Sequence, residues 1–178
     1  LSMFPESVLW EEAFDSPVEF GRKNSERISG LVDIADLSLR SFDEAKAGIE
    51  KALNASDPWG RYWGLIVCSS FYEEAASFTD KAKMMASNDS ENLVRVRAAE
   101  FLGLIGAEDP SPVIIEVLSK ANNEVEAFLT LNSVVLLKDL KGYEFEIDPE
   151  IFPAEWRKEE RSDVNRRLGY LLPGYGNE

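Results

Sequence analysis

Three observations predict an all-α fold built as an array of helix pairs. First, apolar residues recur at helical spacing along most of the 178 residues, and only the short segment 143–147 alternates as a strand would. Second, apolar segments begin near residues 57, 91 and 123, which puts Arg61, Arg95 and Glu126 at equivalent places 34 and 31 positions apart. Third, a more amphipathic segment and a short polar turn precede each of them. A period of about 31 to 34 residues is typical of stacked helix pairs.

Composition excludes several classes of function. The net charge is −14, from 33 acidic and 19 basic residues, which argues against nucleic acid or an anionic membrane as the partner. No apolar run has the length of a membrane span, and the start of the chain lacks the basic and apolar regions of a signal peptide. There is no histidine, so Ser-His-Asp catalysis, Cys-His catalysis and His-containing zinc sites are excluded within this chain. The lone cysteine, Cys68, is predicted to be a buried, inert thiol.

The chain is predicted to open with leading helices over residues 5–39. Pro17 and Gly21 are expected to end or interrupt the first of them. The second is expected to run to about Leu39, which falls on its apolar stripe.

Three helix pairs and a capping helix are predicted to follow. The pairs cover residues 41–72, 74–106 and 110–142, and an irregular segment with the capping helix covers 143–172. All of this forms one domain, 1–178. Because position 1 is not Met, we expect the chain to be a fragment of a longer one.

Polar residues that cap helices mark the predicted starts. They are Ser41 with Glu44 in capping-box spacing, Asp57 before Pro58, Asn88 with Glu91, and Asn123 with Glu126.

One inner helix carries a known repeat pattern. Residues 93–103, Leu-Val-Arg-Val-Arg-Ala-Ala-Glu-Phe-Leu-Gly, resemble the second helix of HEAT-like repeats. The resemblance implies a HEAT-like helical-repeat array of about three pairs, with a leading helix and a capping helix.

A second resemblance rests on the order of motifs along the chain. The segment Asp-Pro-Trp-Gly-Arg-Tyr-Trp at 57–63 precedes the Val-Arg-x-x-Ala-Ala motif, and the chain ends near the pair Leu171-Leu172. This order is similar to the C-terminal helical extension of bacterial sulfatases of the arylsulfatase type, over roughly residues 5–172. It implies a non-catalytic domain that packs on and stabilises an upstream α/β catalytic domain of the same polypeptide. It also suggests a periplasmic or secreted location.

The sulfatase resemblance carries no catalytic residue onto this chain. The family's catalytic domain uses a formylglycine, made within Cys/Ser-x-Pro-x-Arg, and a divalent metal. The segment after Cys68 lacks both Pro and Arg, and the segment after Ser56 has its Arg one position too late. The resemblance therefore places both cofactors upstream and implies none in this chain.

Arginine and aromatic residues are the candidate site residues, and each has two interpretations. Arg61 and Arg95 either bind Asp or backbone carbonyls and so register neighbouring pairs, or one of them binds an anionic substrate group. Trp59, Tyr62 and Trp63 either pack in the core or against the catalytic domain, or stack on a sugar ring. An alternative function is a free-standing HEAT-type adaptor without enzymatic activity that binds a protein. The sequence does not specify the oligomeric state.

Overall fold

A computed structural model describes residues 16–158 and 162–175, and all regular secondary structure within those ranges is helical. The predicted all-α class is therefore confirmed. The α-helices are α1 (Pro17–Lys23), α2 (Ser25–Ala35), α3 (Phe42–Leu53), α4 (Pro58–Phe71), α5 (Thr79–Asn88), α6 (Asn92–Leu104), α7 (Ser111–Ser119), α8 (Glu124–Lys141), α9 (Ala154–Lys158) and α10 (Asp163–Leu171). Short 3₁₀-helices lie at Asp36–Leu39, Tyr72–Phe78 and Pro149–Ile151.

Local capping signals set the starts of α3, α4 and α8. The Ser41 N–H and hydroxyl both donate to Glu44 Oε2, at 3.1 and 2.7 Å, just before α3 begins. Asp57 Oδ1 accepts from the Trp59 N–H at 3.1 Å, and Asn123 Oδ1 accepts from the Glu126 N–H at 2.9 Å. These predicted caps are confirmed, because each oxygen binds an N–H that has no partner within its helix.

The start of the described chain differs from the prediction. Pro17 does not end a helix; it is the first residue of α1, and the Ser16 hydroxyl caps that helix through the Glu19 N–H at 3.2 Å. Proline suits this position because its missing N–H would be unpaired there in any case. Gly21 lies inside α1. The rest of the predicted first helix, residues 5–15, lies outside the described residues.

Two further local predictions were wrong. Leu39 is 83 % exposed, because α2 ends at Ala35 and the following 3₁₀-helix turns Leu37 into the core instead. Asn88 does not cap α6; it is the last residue of α5, and Asp89 Oδ1 accepts from the Glu91 N–H at 3.0 Å.

Helices of two kinds alternate along the chain. We call α2, α4, α6 and α8 the inner helices, because each packs against the next member of that set. The outer helices α3, α5 and α7 each pack against the inner helix that follows them in sequence. Helix α10 packs against α8 after the last pair.

Helix α6 lies at the centre of this packing. Ten of its thirteen residues are buried, including those on nearly every side of the helix. Its Phe101 and Leu102 belong to a hydrophobic cluster with the helices before it, and Leu104 belongs to a second cluster with α7, α8 and α10. A helix that is apolar on most sides is normally enclosed by neighbours, and α6 is.

Candidate functional site

Arg61 lies near the start of α4 and bridges two helix pairs. Its Nε and Nη2 donate to the two carboxylate oxygens of Asp89, at 2.7 and 2.8 Å. Its Nη1 donates to the carbonyls of Ala55 and Ser56, at 2.9 and 3.0 Å. The hydrogen bond to Asp89 outweighs the cost of burial and raises the pKa of Arg61. Arg61 thus joins the turn before its own helix to the turn before the next inner helix.

Arg95 takes the equivalent place on α6 but uses different acceptors. Its Nε donates to the Ala86 carbonyl at 3.0 Å, and its Nη2 donates to Glu116 Oε2 at 2.8 Å. Lys120 donates to the other oxygen of Glu116 at 2.9 Å. Hydrogen bonds from Arg95 and then Lys120 lower the pKa of Glu116 to about 2. The sequence-based interpretation of Arg61 and Arg95 as contacts between neighbouring pairs agrees with these bonds.

A third arginine, Arg27 on α2, belongs to the same series. Its Nε and Nη2 donate to the two oxygens of Asp57, at 2.8 and 3.0 Å. Burial opposes ionisation of Asp57, yet the bonds from Arg27 and from the Trp59 N–H lower its pKa. Arg27 was not among the predicted site residues, although it stands 34 positions before Arg61, the same spacing that separates Arg61 from Arg95. We call these three arginines and their carboxylates the arginine ladder.

The ladder ends at the fourth inner helix, where Glu126 stands in the arginine position. Glu126 is 5 % exposed, and its Oε2 accepts from the backbone and side-chain N–H groups of Asn122, at 2.8 and 3.0 Å. Its Oε1 is buried without a hydrogen-bond partner in the described part of the chain. Burial first, and then the charges of Glu126 and Asp89, raise the pKa of nearby Glu91. Neither Glu126 nor Glu91 forms an ion pair in the described part of the chain, so negative charge accumulates at this end of the ladder.

The predicted aromatic cluster forms on α4. Trp59 and Tyr62 are buried, Trp63 is half-buried, and Tyr62 makes edge-to-face contacts with both tryptophans, at 5.8 and 6.1 Å between ring centroids. Burial of Trp59 and Tyr62 favours the core-packing interpretation for these two residues. Trp63 is the member of the cluster with more surface left for a further contact.

Arg97 joins the aromatic cluster from α6 and was missed by sequence reasoning. Its guanidinium lies 5.2 Å from the Tyr62 ring centroid and donates to the Tyr62 hydroxyl at 3.1 Å and to Glu100 Oε2 at 2.7 Å. Burial disfavours its charge, but Glu100 and Tyr62 outweigh that cost and raise its pKa. The available signal was the second Arg of Val-Arg-Val-Arg, which is two positions from Arg95 and so lies on another side of α6.

The hydrogen bonds of the arginine ladder can hold neighbouring helix pairs in register. The same region supplies few side chains that could act as a nucleophile or bind a metal ion. Cys68 is fully buried on α4, and burial raises the pKa of its thiol to about 12, so the reactive thiolate is suppressed at neutral pH. No cluster of three or more Cys, Asp and Glu side chains suited to a metal ion lies within residues 16–158 and 162–175. Among the helices of those two ranges, none combines the length and apolarity that crossing a bilayer requires.

Comparison of the chain with protein-family models, with curated proteins and with solved structures gives no match.

Proposed function

We propose that this chain is a non-catalytic, HEAT-like helical domain that packs on an upstream catalytic domain of the sulfatase type. The motif order from 57–63 to Leu171-Leu172 motivates the sulfatase assignment. The HEAT-like assignment is supported by the order of helix contacts, in which every inner helix from α2 to α8 packs on the next. Arrays of this kind are quasi-one-dimensional and present extended surfaces for docking.

The arginine ladder is the observation that carries the non-catalytic role. An arginine that binds a substrate sulfate needs donors that are free to reach it. Arg61 gives four hydrogen bonds to Asp89 and two carbonyls, and Arg95 bonds Glu116 and Ala86. Both arginines are thus already engaged in joining helix pairs, which is a structural task.

The half-buried Trp63 marks the face through which the domain would dock. It stands beside Tyr62, whose hydroxyl accepts a hydrogen bond from Arg97 of α6, and Glu100 binds the same guanidinium. A large aromatic ring on a rigid support is the kind of residue that dominates protein interfaces. We therefore place the contact with the catalytic domain at Trp63.

The decisive experiment is to express the complete polypeptide and to assay it on aryl sulfate esters. We expect the extended protein to hydrolyse them, whereas the isolated chain does not. An upstream sequence without any Cys/Ser-x-Pro-x-Arg segment would contradict the proposal and favour the adaptor function, which a pull-down with the isolated chain then tests.

A substitution tests the docking face. In the extended protein, Trp63→Ala should lower the melting temperature of the catalytic domain, whereas Tyr170→Ala should not. Tyr170 is the matched control, because it is an aromatic side chain that is 53 % exposed on α10, far from α4 in sequence. Equal effects of the two substitutions would show that the domains do not meet at Trp63.

A further inference from the structure

A groove of about 810 Å³ lies between α2, α3 and the start of α4. Apolar side chains line much of it, among them Leu31, Ile34, Leu37 and Ala52. Sites for small molecules are mostly apolar concavities of roughly 300–1,000 Å³ with a few polar groups placed to orient the ligand. The groove has that size and that lining, and none of the proposed functional residues Arg61, Trp63 and Arg95 lies in it.

Gly30 of α2 lines the groove and leaves it open. The equivalent position on the next inner helix, α4, is closely packed. A Cβ at Gly30 would meet no atom within 4 Å. Gly64 stands 34 positions later on α4, and a Cβ there would meet the Ala52 Cβ at 3.0 Å and the Leu53 Cδ2 at 3.2 Å. The space beside Gly30 is thus a property of this one place in the chain rather than of every equivalent position.

The charges at the rim of the groove differ from those of the whole protein. Arg40 and Lys51 are exposed at the rim, and neither forms an ion pair in the described part of the chain. Of the two acidic residues there, Asp57 is bound by Arg27, which leaves Asp33. The charged residues that line the groove, three basic and two acidic, therefore sum to +1, in a chain whose net charge is −14. An anionic ligand would therefore complement the charge of this rim.

We propose that this groove binds a small amphipathic carboxylate, such as a fatty acid or an aryl carboxylate. Its apolar body lies on Leu31, Ile34 and Leu37, and its carboxylate lies between Arg40 and Lys51. This inference does not depend on the sulfatase assignment.

The test compares three ligands with the same twelve-carbon chain, each below its micelle concentration or its solubility limit, by isothermal titration calorimetry with the full chain. The ligands are dodecanoate, dodecan-1-ol and dodecyltrimethylammonium. We expect dodecanoate to bind best. Reversing both rim charges in Arg40→Glu/Lys51→Glu replaces two attractions with two repulsions, so dodecanoate binding should weaken by at least about tenfold even at these solvent-screened positions.

Gly30→Phe tests the apolar part of the site. Its ring would occupy the groove, so binding of dodecanoate should be lost. Gly169→Phe is the matched control, because Gly169 lies on α10 and a Cβ there also meets nothing within 4 Å. Circular dichroism shows whether each variant folds. If Gly30→Phe does not fold, dodecanoate binding by the Arg40→Glu/Lys51→Glu variant, whose changes are at exposed positions, tests the site instead.

Three results would overturn the proposal. One is absence of dodecanoate binding by the unmodified chain. The second is equal binding of the three ligands, which would show that the rim selects no charge. The third is unchanged binding by a folded Gly30→Phe or by the double charge reversal, which would place the ligand elsewhere or point to a protein segment as the occupant of the groove.

Discussion

Glu91 is a residue whose charge opposes folding. Burial and the charges of Glu126 and Asp89 raise its pKa in the folded state. A carboxyl group with a raised folded pKa contributes stability below its unfolded pKa, and that contribution is lost as the pH rises through the folded value. At neutral pH, ionised Glu91 therefore costs free energy that the neutral amide of glutamine would not.

We expect Glu91→Gln to raise the free energy of unfolding at pH 7. The gain should be about 0.5 kcal/mol, since Glu91 is only half-buried and solvent screens its repulsion. Urea titrations near pH 7 and pH 4 check this, because the gain should shrink at the lower pH, where the wild-type carboxyl is protonated. Glu74→Gln, at an exposed residue, is the control. A gain of equal size for both variants would contradict the explanation.

Tyr72 carries the backbone strain at the junction of α4 and the following 3₁₀-helix. Its φ is 48° and its ψ is −129°, a region that favours glycine. Lys141 lies 6.0 Å from its ring centroid, which offsets part of the cost. This junction also explains why the predicted helix from residue 74 begins as a 3₁₀-helix and becomes α-helical only at Thr79.

Substitutions at Tyr72 separate the strain from the side-chain contact. Tyr72→Ala removes the ring and keeps the strain, whereas Tyr72→Gly removes both. The glycine variant should be the more stable of the two by about 1 kcal/mol, since a non-glycine residue in such a region costs roughly 1–3 kcal/mol. Thermal unfolding of the two purified variants measures the difference. An alanine variant at least as stable as the glycine variant would show that Tyr72 is not strained.

At the scale of single helices, Gly30 and Gly64 are equivalent in sequence and opposite in surroundings. Gly30→Ala should stabilise the chain by about 0.5–1 kcal/mol, because α2 gains helix propensity and the methyl group meets no atom. Gly64→Ala should destabilise it, because the Cβ approaches Ala52 and Leu53 of α3. Urea unfolding of both variants checks the two signs. Stabilisation by both would mean that α3 adjusts to the added methyl group at no cost, and destabilisation by both would mean that the space beside Gly30 is not open.

Two carboxylates of the arginine ladder should differ in how much stability is lost when each is replaced. The side chains of Arg61 and Asp89 are 15 % and 6 % exposed, whereas those of Arg27 and Asp57 are 34 % and 32 % exposed. Asp89→Asn should therefore cost roughly 3 kcal/mol, because it leaves a mostly buried arginine without its carboxylate, and Asp57→Asn should cost about 1 kcal/mol. Each carboxylate also accepts one backbone N–H, so the cap loss is matched between the variants. Similar losses in unfolding free energy would show that burial does not set the strength of these pairs.

The elements show which features a sequence can predict. The Ser41–Glu44 box and the Asp57 cap were predictable because their partners lie within three residues. The bond from Arg27 to Asp57 spans 30 residues, and that from Arg97 to Tyr62 spans 35, so they depend on how helices stack. Leu39 was misplaced because the change from α to 3₁₀ geometry rotates the stripe by an amount that composition does not reveal.

For the whole molecule, the amino-acid composition sets the response to pH. The chain contains no histidine, so none of its side chains has an ordinary pKa between about 5 and 8. We expect the free energy of unfolding to be nearly constant from about pH 6 to pH 8. The curve should then fall at higher pH, since Cys68 has a pKa of about 12 when folded and its thiol ionises more easily once unfolded.

The size of that fall can be derived from the thiol alone. An acid whose folded pKa is raised contributes stability that is complete below its unfolded pKa and declines as the pH rises toward the folded value. With an unfolded pKa of about 8.5, Cys68 should account for roughly 2 kcal/mol of lost stability at about pH 10. Tyr170 and Tyr175, whose pKa values are also raised, contribute in the same direction at higher pH, so the wild-type curve alone does not isolate the thiol.

The Cys68→Ala variant isolates the contribution of the thiol, because alanine keeps a small apolar group in the same buried position and cannot ionise. The variant should be less stable than the wild type near pH 7, since it leaves a small cavity in α4. Its deficit should then shrink by roughly 2 kcal/mol between about pH 7 and pH 10, because only the wild type gains from ionisation on unfolding. Urea titrations of both proteins under a reducing agent measure this convergence. Parallel curves across that range would mean that Cys68 ionises as readily in the folded chain as in the unfolded one, which its full burial on α4 argues against.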